Sequence, residues 1–175
     1  MHVREATIDD CEPIQNLLDQ YYRHMHDLEP EFYLPMTSHV KPIEEVVEML
    51  READSVVLVV EYNQTVIGMV CVRDSGIADV SFLRSRRYGL VRYIVVDEAH
   101  RRLGCGRELM KHVILWCEER GLMYLELTAW HSNRSAVMLY ESMGFRPLTM
   151  QMGVDLQVAK TSTNSPDSQR EQEER

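Results

Sequence analysis

Residues 100–110 read HRRLGCGRELM, with Gly104 and Gly106 on either side of Cys105 and with Arg101, Arg102 and Arg107 around them. The stretch follows an apolar run, YGLVRYIVVD, and leads into Leu109, Val113, Ile114 and Cys117 at helical spacing. It therefore joins a strand to the start of an amphipathic helix. The first amides of a helix lack acceptors within it, and the helix dipole makes that end electropositive. Glycines permit left-handed backbone angles and close approach of a ligand. Together these features predict a backbone nest for an anion. A Walker-type loop is excluded because no Gly-Lys-Ser/Thr follows, and the dinucleotide fingerprint fails because position 109 is leucine. A helix N-terminus also lowers a thiol pKa, so Cys105 is expected to retain some reactivity toward alkylating agents.

A second segment with chemical content is LELTAWHSNRSAVMLYESMGF, residues 125–145. It reads as the end of a strand, then a short helix capped near Ser132 or Asn133 and stopped at Gly144. Tyr140 offers a phenol of pKa about 10 that can donate to a thiolate. Taken alone, it reads more readily as an aromatic core residue of that helix.

A sheet and its helices must hold these residues. VREAT at the start alternates as a short strand, and Thr7 with Asp10 forms a capping box. Ile14, Leu17, Leu18, Tyr21, Tyr22 and Met25 then predict a helix from about Asp9 to Met25. HDLEPEFYLPMTSHVKP holds three prolines and reads as a loop with aromatic content. Pro42 suits the first turn of a second helix with Ile43, Val46, Val47 and Leu50 on its buried face. Residues 56–62 and 66–72 form two strands bent at NQT, and the strand ending at Asp97 follows. The helix after the glycines ends at Gly121, MYLELTAW is a strand, and LTMQMGVDL, residues 148–156, reads as the last one. The expected fold is mixed α/β, a central sheet with helices on its faces rather than a repeating βαβ array. Residues 1–156 form one domain, and the polar stretch 157–175 is an expected disordered tail.

Composition narrows the function. Aspartate and glutamate outnumber lysine and arginine by 28 to 19, for a net charge of −9, which argues against a nucleic-acid binder. No apolar run approaches the roughly 20 residues of a membrane span, and the N-terminus has no secretory pattern, so the expected location is cytoplasmic. The four cysteines show no Cys-x-x-Cys pair, which speaks against a metal site and suits a reducing compartment. His24 and His26 are a weak metal pattern and read as surface residues. Arg84, Arg86, Arg87 and Arg92 form a local basic concentration that reads equally as scattered surface charge.

Arg101, Gly104 and Gly106 match the Q/R-x-x-G-x-G/A pattern of the GCN5-related N-acetyltransferases (GNAT), which the chain resembles. Asn133, Ala136, Leu139, Tyr140, Glu141, Gly144 and Phe145 match that family's second motif, and VREATIDD is typical of its start. The resemblance covers roughly residues 2–156 and is nearest to the ribosomal-protein alanine N-acetyltransferase branch. It implies the GNAT fold, a mixed and mostly antiparallel twisted sheet of about six to seven strands with about four helices. It implies acetyl-CoA as co-substrate, with no metal. The strand through Ile94, Val95 and Val96 would face the pantetheine arm and supply the oxyanion donors. The amides of Arg102, Leu103, Gly104, Cys105, Gly106 and Arg107, beside Arg101, would hold the pyrophosphate. Asn133 and Ala136 would lie along the cofactor, with Asn133 touching the pantetheine or capping its helix. Tyr140 matches the family's general acid. Glu126 resembles the glutamate of that branch and is the first candidate for general base, ahead of Glu61, Asp74, Tyr93 and His131; the link after it is about two residues longer than in the branch. Cys105 fills a variable slot and has no covalent role in such a reaction.

In that family the acceptor site is shaped by the first helix, the loop behind it and the last hairpin. Here the loop carries Asp27, Glu29, Glu31, Phe32 and Tyr33, which suits a cationic amine and equally suits an ordinary acidic loop. Met150, Gln151 and Met152 stand where enzymes acting on protein N-termini often have a tyrosine pair. The resemblance thus points to acetyl transfer onto a primary amine of a small molecule. The alternatives are a protein or peptide N-terminal or lysine acetyltransferase, and a non-catalytic acyl-CoA sensor. No nucleic acid or membrane partner is expected. Because dimers are common in the family, a homodimer stays open.

Overall fold

The computed structural model describes residues 1–77, 81–82 and 84–156. Backbone proximity divides the chain into two units, Met1–Gly144 and Phe145–Arg175. In the first, the order is β1 (His2–Glu5), α1 (Cys11–Leu28), α2 (Ile43–Arg51), β2 (Ser55–Tyr62), β3 (Thr65–Ile77), β4 (Arg86–Val96), α3 (Cys105–Glu119), β5 (Leu125–Leu127) and α4 (Arg134–Ser142). The strands form one sheet in the order β1-β2-β3-β4-β5. The first four pair antiparallel, and β5 joins β4 parallel.

Among the described residues the expected mixed α/β sheet with four helices is present, with five strands instead of six or seven. The missing strand is the one read over 148–156. Described residues 145–155 of the second unit adopt neither helix nor strand. Leu148, Met150, Met152 and Val154 alternate there but are all exposed. Alternation decides which face a side chain takes; a strand also needs a neighbour for its backbone bonds. The expected tail, 157–175, lies outside the described residues.

The sheet is buried on both faces. Val56 to Val60 on β2 are all buried, an unbroken apolar run instead of the alternation of a half-exposed strand. On one side Ile14, Leu17 and Leu18 of α1, with Val46 and Met49 of α2, pack against Val57, Val59, Met69 and Val95. Each such fully buried side chain contributes about 1.5–3 kcal/mol. On α3, Leu109, Met110 and Val113 are fully buried. The β2–β3 bend is a two-residue turn in which Asn63 and Gln64 both take positive φ, 48° and 64°, as the twist of a hairpin requires.

The start of α1 is tied to the sheet by charge. Arg4 on β1 donates to both carboxylate oxygens of Asp10, at 2.7 and 2.9 Å, and through Nε to Glu61 on β2 at 3.0 Å. Asp10 also accepts from the Thr7 amide at 2.7 Å, which completes the capping interaction read from Thr-x-x-Asp. The Arg4 guanidinium beside it lowers the Asp10 pKa from 3.8 to about 2, against the opposing effect of burial. The native carboxylate therefore holds fewer protons than the unfolded one between about pH 4 and 2. Its stabilisation is complete above pH 4 and is lost as pH falls toward 2. Asp10→Asn should cost about 2 kcal/mol in urea unfolding at pH 7, and its difference from the unsubstituted protein should shrink steadily below pH 4.

Candidate functional site

Strands β4 and β5 pair over only three positions, Gly89 with Leu125, Leu90 with Glu126 and Val91 with Leu127. Just beyond, β4 carries an extra residue. Val72 of β3 faces Val91 while Cys71 faces Tyr93, so Arg92 is a bulge. A bulge bends its strand and raises the local twist. Past it β4 runs on to Val96, whereas β5 stops at Leu127. A cleft of about 600 Å³ opens between residues 91–96 and 127–130. The Asp97 amide bonds back to Ile67 on β3 at 2.9 Å. Because backbone groups alternate along a strand, the amides of Ile94 and Val96 turn the other way, toward the cleft.

The glycine stretch forms the cleft's basic end. Arg102 and Gly104 both have positive φ, 67° and 85°, and a Cβ on Gly104 would meet nothing within 4 Å. The first bond of α3 runs from the Glu108 amide to the Gly104 carbonyl at 3.0 Å. The amides of Cys105, Gly106 and Arg107 precede it and form the electropositive helix start. Gly106 lets α4 come close, since a Cβ there would sit 3.2 Å from Leu139. Arg101 donates to the Val96 carbonyl at 3.3 Å, and Arg107 reaches Ser142 on α4 at 2.5 Å. Arg107, an exposed residue, thus bridges α3 and α4 at the surface. Gln20 on α1 locks the strand end, donating to Asp97 at 2.9 Å and accepting from the Glu98 amide at 3.1 Å.

The far wall is α4. Asn133 caps it, its side chain accepting from the Ala136 amide at 3.3 Å. Tyr140, buried and lining the cleft, has its phenol pushed up to about 12, chiefly by burial and then by Tyr21. Tyr21 itself is raised to about 12 by burial. From α1, Tyr21 and His24 also reach the cleft. Burial lowers the His24 pKa, and Arg101 adds to the effect.

The structure brings Ile94, Val95, Val96, Arg101, Arg102, Gly104, Cys105, Gly106, Arg107, Asn133, Ala136 and Tyr140 to this one cleft. Of the residues given a cofactor role or the first catalytic roles from sequence, Leu103 and Glu126 are not among those lining it. Leu103 is 57% exposed. Glu126 lies on β5 one residue before the cleft-lining Leu127, and its carboxylate accepts from Arg86. That guanidinium lies 5.1 Å from the Tyr88 ring centre and 5.4 Å from that of Tyr124. Of the other base candidates, Tyr93 lines the cleft, Glu61 is paired with Arg4 and Asp74 with Arg87.

Several surface readings change. His24 and His26 are half-buried; the first lines the cleft, and Nδ1 of the second donates to the Tyr33 carbonyl at 2.7 Å. Arg86, Arg87 and Arg92 are each in ion pairs, Arg92 with Glu52 at 2.6 Å, so they act as sheet-to-neighbour ties. Sequence reasoning also missed Tyr21, His24 and Trp130 as cleft residues. The spacing of Tyr21 and His24, three apart on α1, was the available signal. Among the described residues no cluster of three metal-ligating side chains occurs, and no helix is long and apolar enough to cross a membrane.

The sequence profile of the acetyltransferase (GNAT) family matches residues 13–145. The ribosomal protein bS18 alanine N-acetyltransferase of Escherichia coli is 44% identical over 57 residues, 33% of this chain and 38% of that protein. The chain thus matches under two fifths of the length of that curated relative. Among solved structures, the BH1408 protein of Bacillus halodurans superposes with a TM-score of 0.84 at 21% identity, over 89% of this chain and 99% of that one. An aminoglycoside N-acetyltransferase, AAC(6')-Iy, solved in complex with CoA, superposes with a TM-score of 0.67 at 14% identity, over 88% and 98%.

Cys105 is only 2% exposed, and burial pushes its thiol up despite its place at a helix start. This overrides the expectation of reactivity toward alkylating agents. Iodoacetamide at pH 7 should leave Cys105 unlabelled in the native protein and label it in urea, as read by peptide mass spectrometry.

Proposed function

The chain belongs to the acetyltransferase (GNAT) family, and from that premise we propose that it moves the acetyl group of acetyl-CoA directly to a primary amine of a small molecule. The observation that carries this reading is the single cleft that joins an open strand edge, a backbone nest and a buried phenol. In this reading residues 1–156 form the catalytic domain. The four cysteines are all free and buried, which suits a reducing compartment such as the cytoplasm.

The donor's pyrophosphate would sit on the amides of Cys105, Gly106 and Arg107, with Arg101 and Arg102 adding charge. Its pantetheine arm would lie along β4 as an extended chain, bonding backbone groups that β5 leaves unused. Attack by the amine nitrogen on the thioester carbon forms the N–C bond, and the C–S bond then breaks with its electron pair going to sulfur. The cleft-facing amides of Ile94 and Val96 are suited to hold the carbonyl oxygen as charge develops on it.

Tyr140 would give its proton to the departing sulfur, and the surplus proton that the nitrogen carries after attack would go to the Tyr140 oxygen, leaving the amide, the CoA thiol and a neutral phenol. Burial raises the phenol to about 12, but burial raises thiols as well: the Cys71 and Cys117 thiols of this chain are pushed to about 11. A CoA thiolate in the same cleft meets similar desolvation, so donor and acceptor stay close in proton affinity. Before attack, the acceptor ammonium must lose a proton. Glu126 would take it through an intervening water, since it is not among the cleft-lining residues and its carboxylate is held by Arg86.

Steady-state thiol release with the preferred amine tests both roles. Tyr140→Phe should lower kcat about 10²–10⁴-fold while the CoA dissociation constant stays within twofold. Glu126→Gln should lower kcat/KM most at low pH, where the amine is most protonated, so that kcat/KM rises more steeply with pH than in the unsubstituted protein. Tight CoA binding without turnover on any amine or peptide would support the sensor reading instead.

A further inference from the structure

Two cavities in this protein share one aromatic wall. The donor cleft is bounded there by Tyr93 and Trp130. A second cavity, of about 350 Å³, is bounded by Tyr22 and by residues 33–40 of the loop after α1. The Tyr22 hydroxyl lies 3.3 Å from the Tyr93 hydroxyl, and the Trp130 indole donates to the Tyr33 hydroxyl at 3.0 Å. In each pair one residue lines the cleft and its partner lines the second cavity. Tyr21 packs edge-on against both Tyr22 and Tyr93, with ring centres 5.2 and 5.7 Å away.

The loop that completes the second cavity is pinned from α1 at several points. Asp19, a buried carboxylate, accepts from the Val40 amide at 3.1 Å and pairs with His39. Gln15 donates to the Lys41 carbonyl at 2.7 Å, and His26 holds the Tyr33 carbonyl. A cavity held this way is preformed, and its volume is within the range of small-molecule sites.

Its chemistry is selective. Residues 33–40 contain no carboxylate, lysine or arginine, and their one histidine is engaged by Asp19. The acidic residues of the preceding segment do not line it: Asp27 and Glu31 are exposed, and Glu29 accepts from Ser132. A second ammonium on a ligand would therefore find no counter-charge among the described residues that line the cavity. One amino group, by contrast, finds hydroxyl acceptors and aromatic faces at the shared wall.

We propose that this second cavity takes the acceptor, and that the acceptor is a monoamine on an apolar body of about one aromatic ring. Its amino group meets the thioester at the Tyr22–Tyr93 hydroxyl pair, with Tyr22 as a positioning residue. This rests on the acyl-transfer reading and narrows it.

The test measures thiol release from acetyl-CoA with 2-phenylethylamine, spermidine and an alanine-starting peptide. In parallel, calorimetry measures 2-phenylethylamine binding to the CoA-loaded protein. The aromatic monoamine should exceed both other acceptors at least tenfold in kcat/KM. Tyr22→Phe should raise its KM about tenfold and leave the KM for acetyl-CoA within twofold. Met36→Glu, which puts a carboxylate into the cavity wall, should shift the ratio at least tenfold toward spermidine. A preference for spermidine or the peptide, or a ratio unmoved by Met36→Glu, overturns the acceptor assignment while acyl transfer stands. Absence of thiol release with every acceptor overturns the acyl-transfer reading. In that case, binding of 2-phenylethylamine that Tyr22→Phe weakens at least fivefold supports the cavity as an amine site, and no binding overturns it.

Discussion

The site depends on the early end of the pairing between β4 and β5. Three residue pairs hold the two strands together, and the Arg92 bulge and the end of β5 at Leu127 then leave the rest of β4 with one edge open. An open edge inside a protein is a liability unless something bonds to it. Here it leaves a rail of unused backbone donors and acceptors along the cleft. The helices on either side supply what the rail lacks. The start of α3 provides positive charge at one end, and α4 provides a phenol.

Helix α1 makes this arrangement rigid. Its apolar stripe is in the core, and its other contacts reach distant parts of the chain. Asp10 is clamped by Arg4, Gln20 by the end of β4, and Asp19 holds the loop that returns toward α2. One helix therefore sets the sheet edge, the anion nest and the second cavity at once. The aromatic residues Tyr21 and Tyr22 lie between these anchors, so the two cavities are held in fixed relation. This suits a reaction in which a donor and an acceptor must meet within a few tenths of an ångström.

Much of the core and of the cleft lining was legible in the sequence because both follow from local rules. Periodicity identified α1, and Ile14, Leu17, Leu18 and Met25 are indeed buried. The glycine pattern identified the nest, since Gly104 needs a left-handed angle and Gly106 a close neighbour. Asn133 was legible as a cap for the same local reason. Legibility failed where the outcome depended on partners. The alternation at 148–156 looked like a strand but finds no strand partner among the described residues. The arginines before and along β4 looked like surface charge, yet three are fastened to carboxylates from other parts of the chain. Alternation put Glu126 opposite its leucine neighbours but could not say that Arg86 would hold it.

By itself, the sequence determined the order of elements from β1 to α4, which helix faces are apolar and where glycines end α3 and α4. These are consequences of side-chain period and backbone stereochemistry within a few residues. Only the tertiary structure decided that β4 and β5 part after Val91, that Cys105 is buried rather than reactive, and that Tyr22 meets Tyr93 across 71 residues of chain. Each of those depends on contacts between segments far apart in sequence, where packing and desolvation outweigh local preference. The nest at the start of α3 could be read early because it is a local object. The second cavity waited for the fold because its walls come from Tyr22 on α1 and from residues 33–40 of the loop behind it.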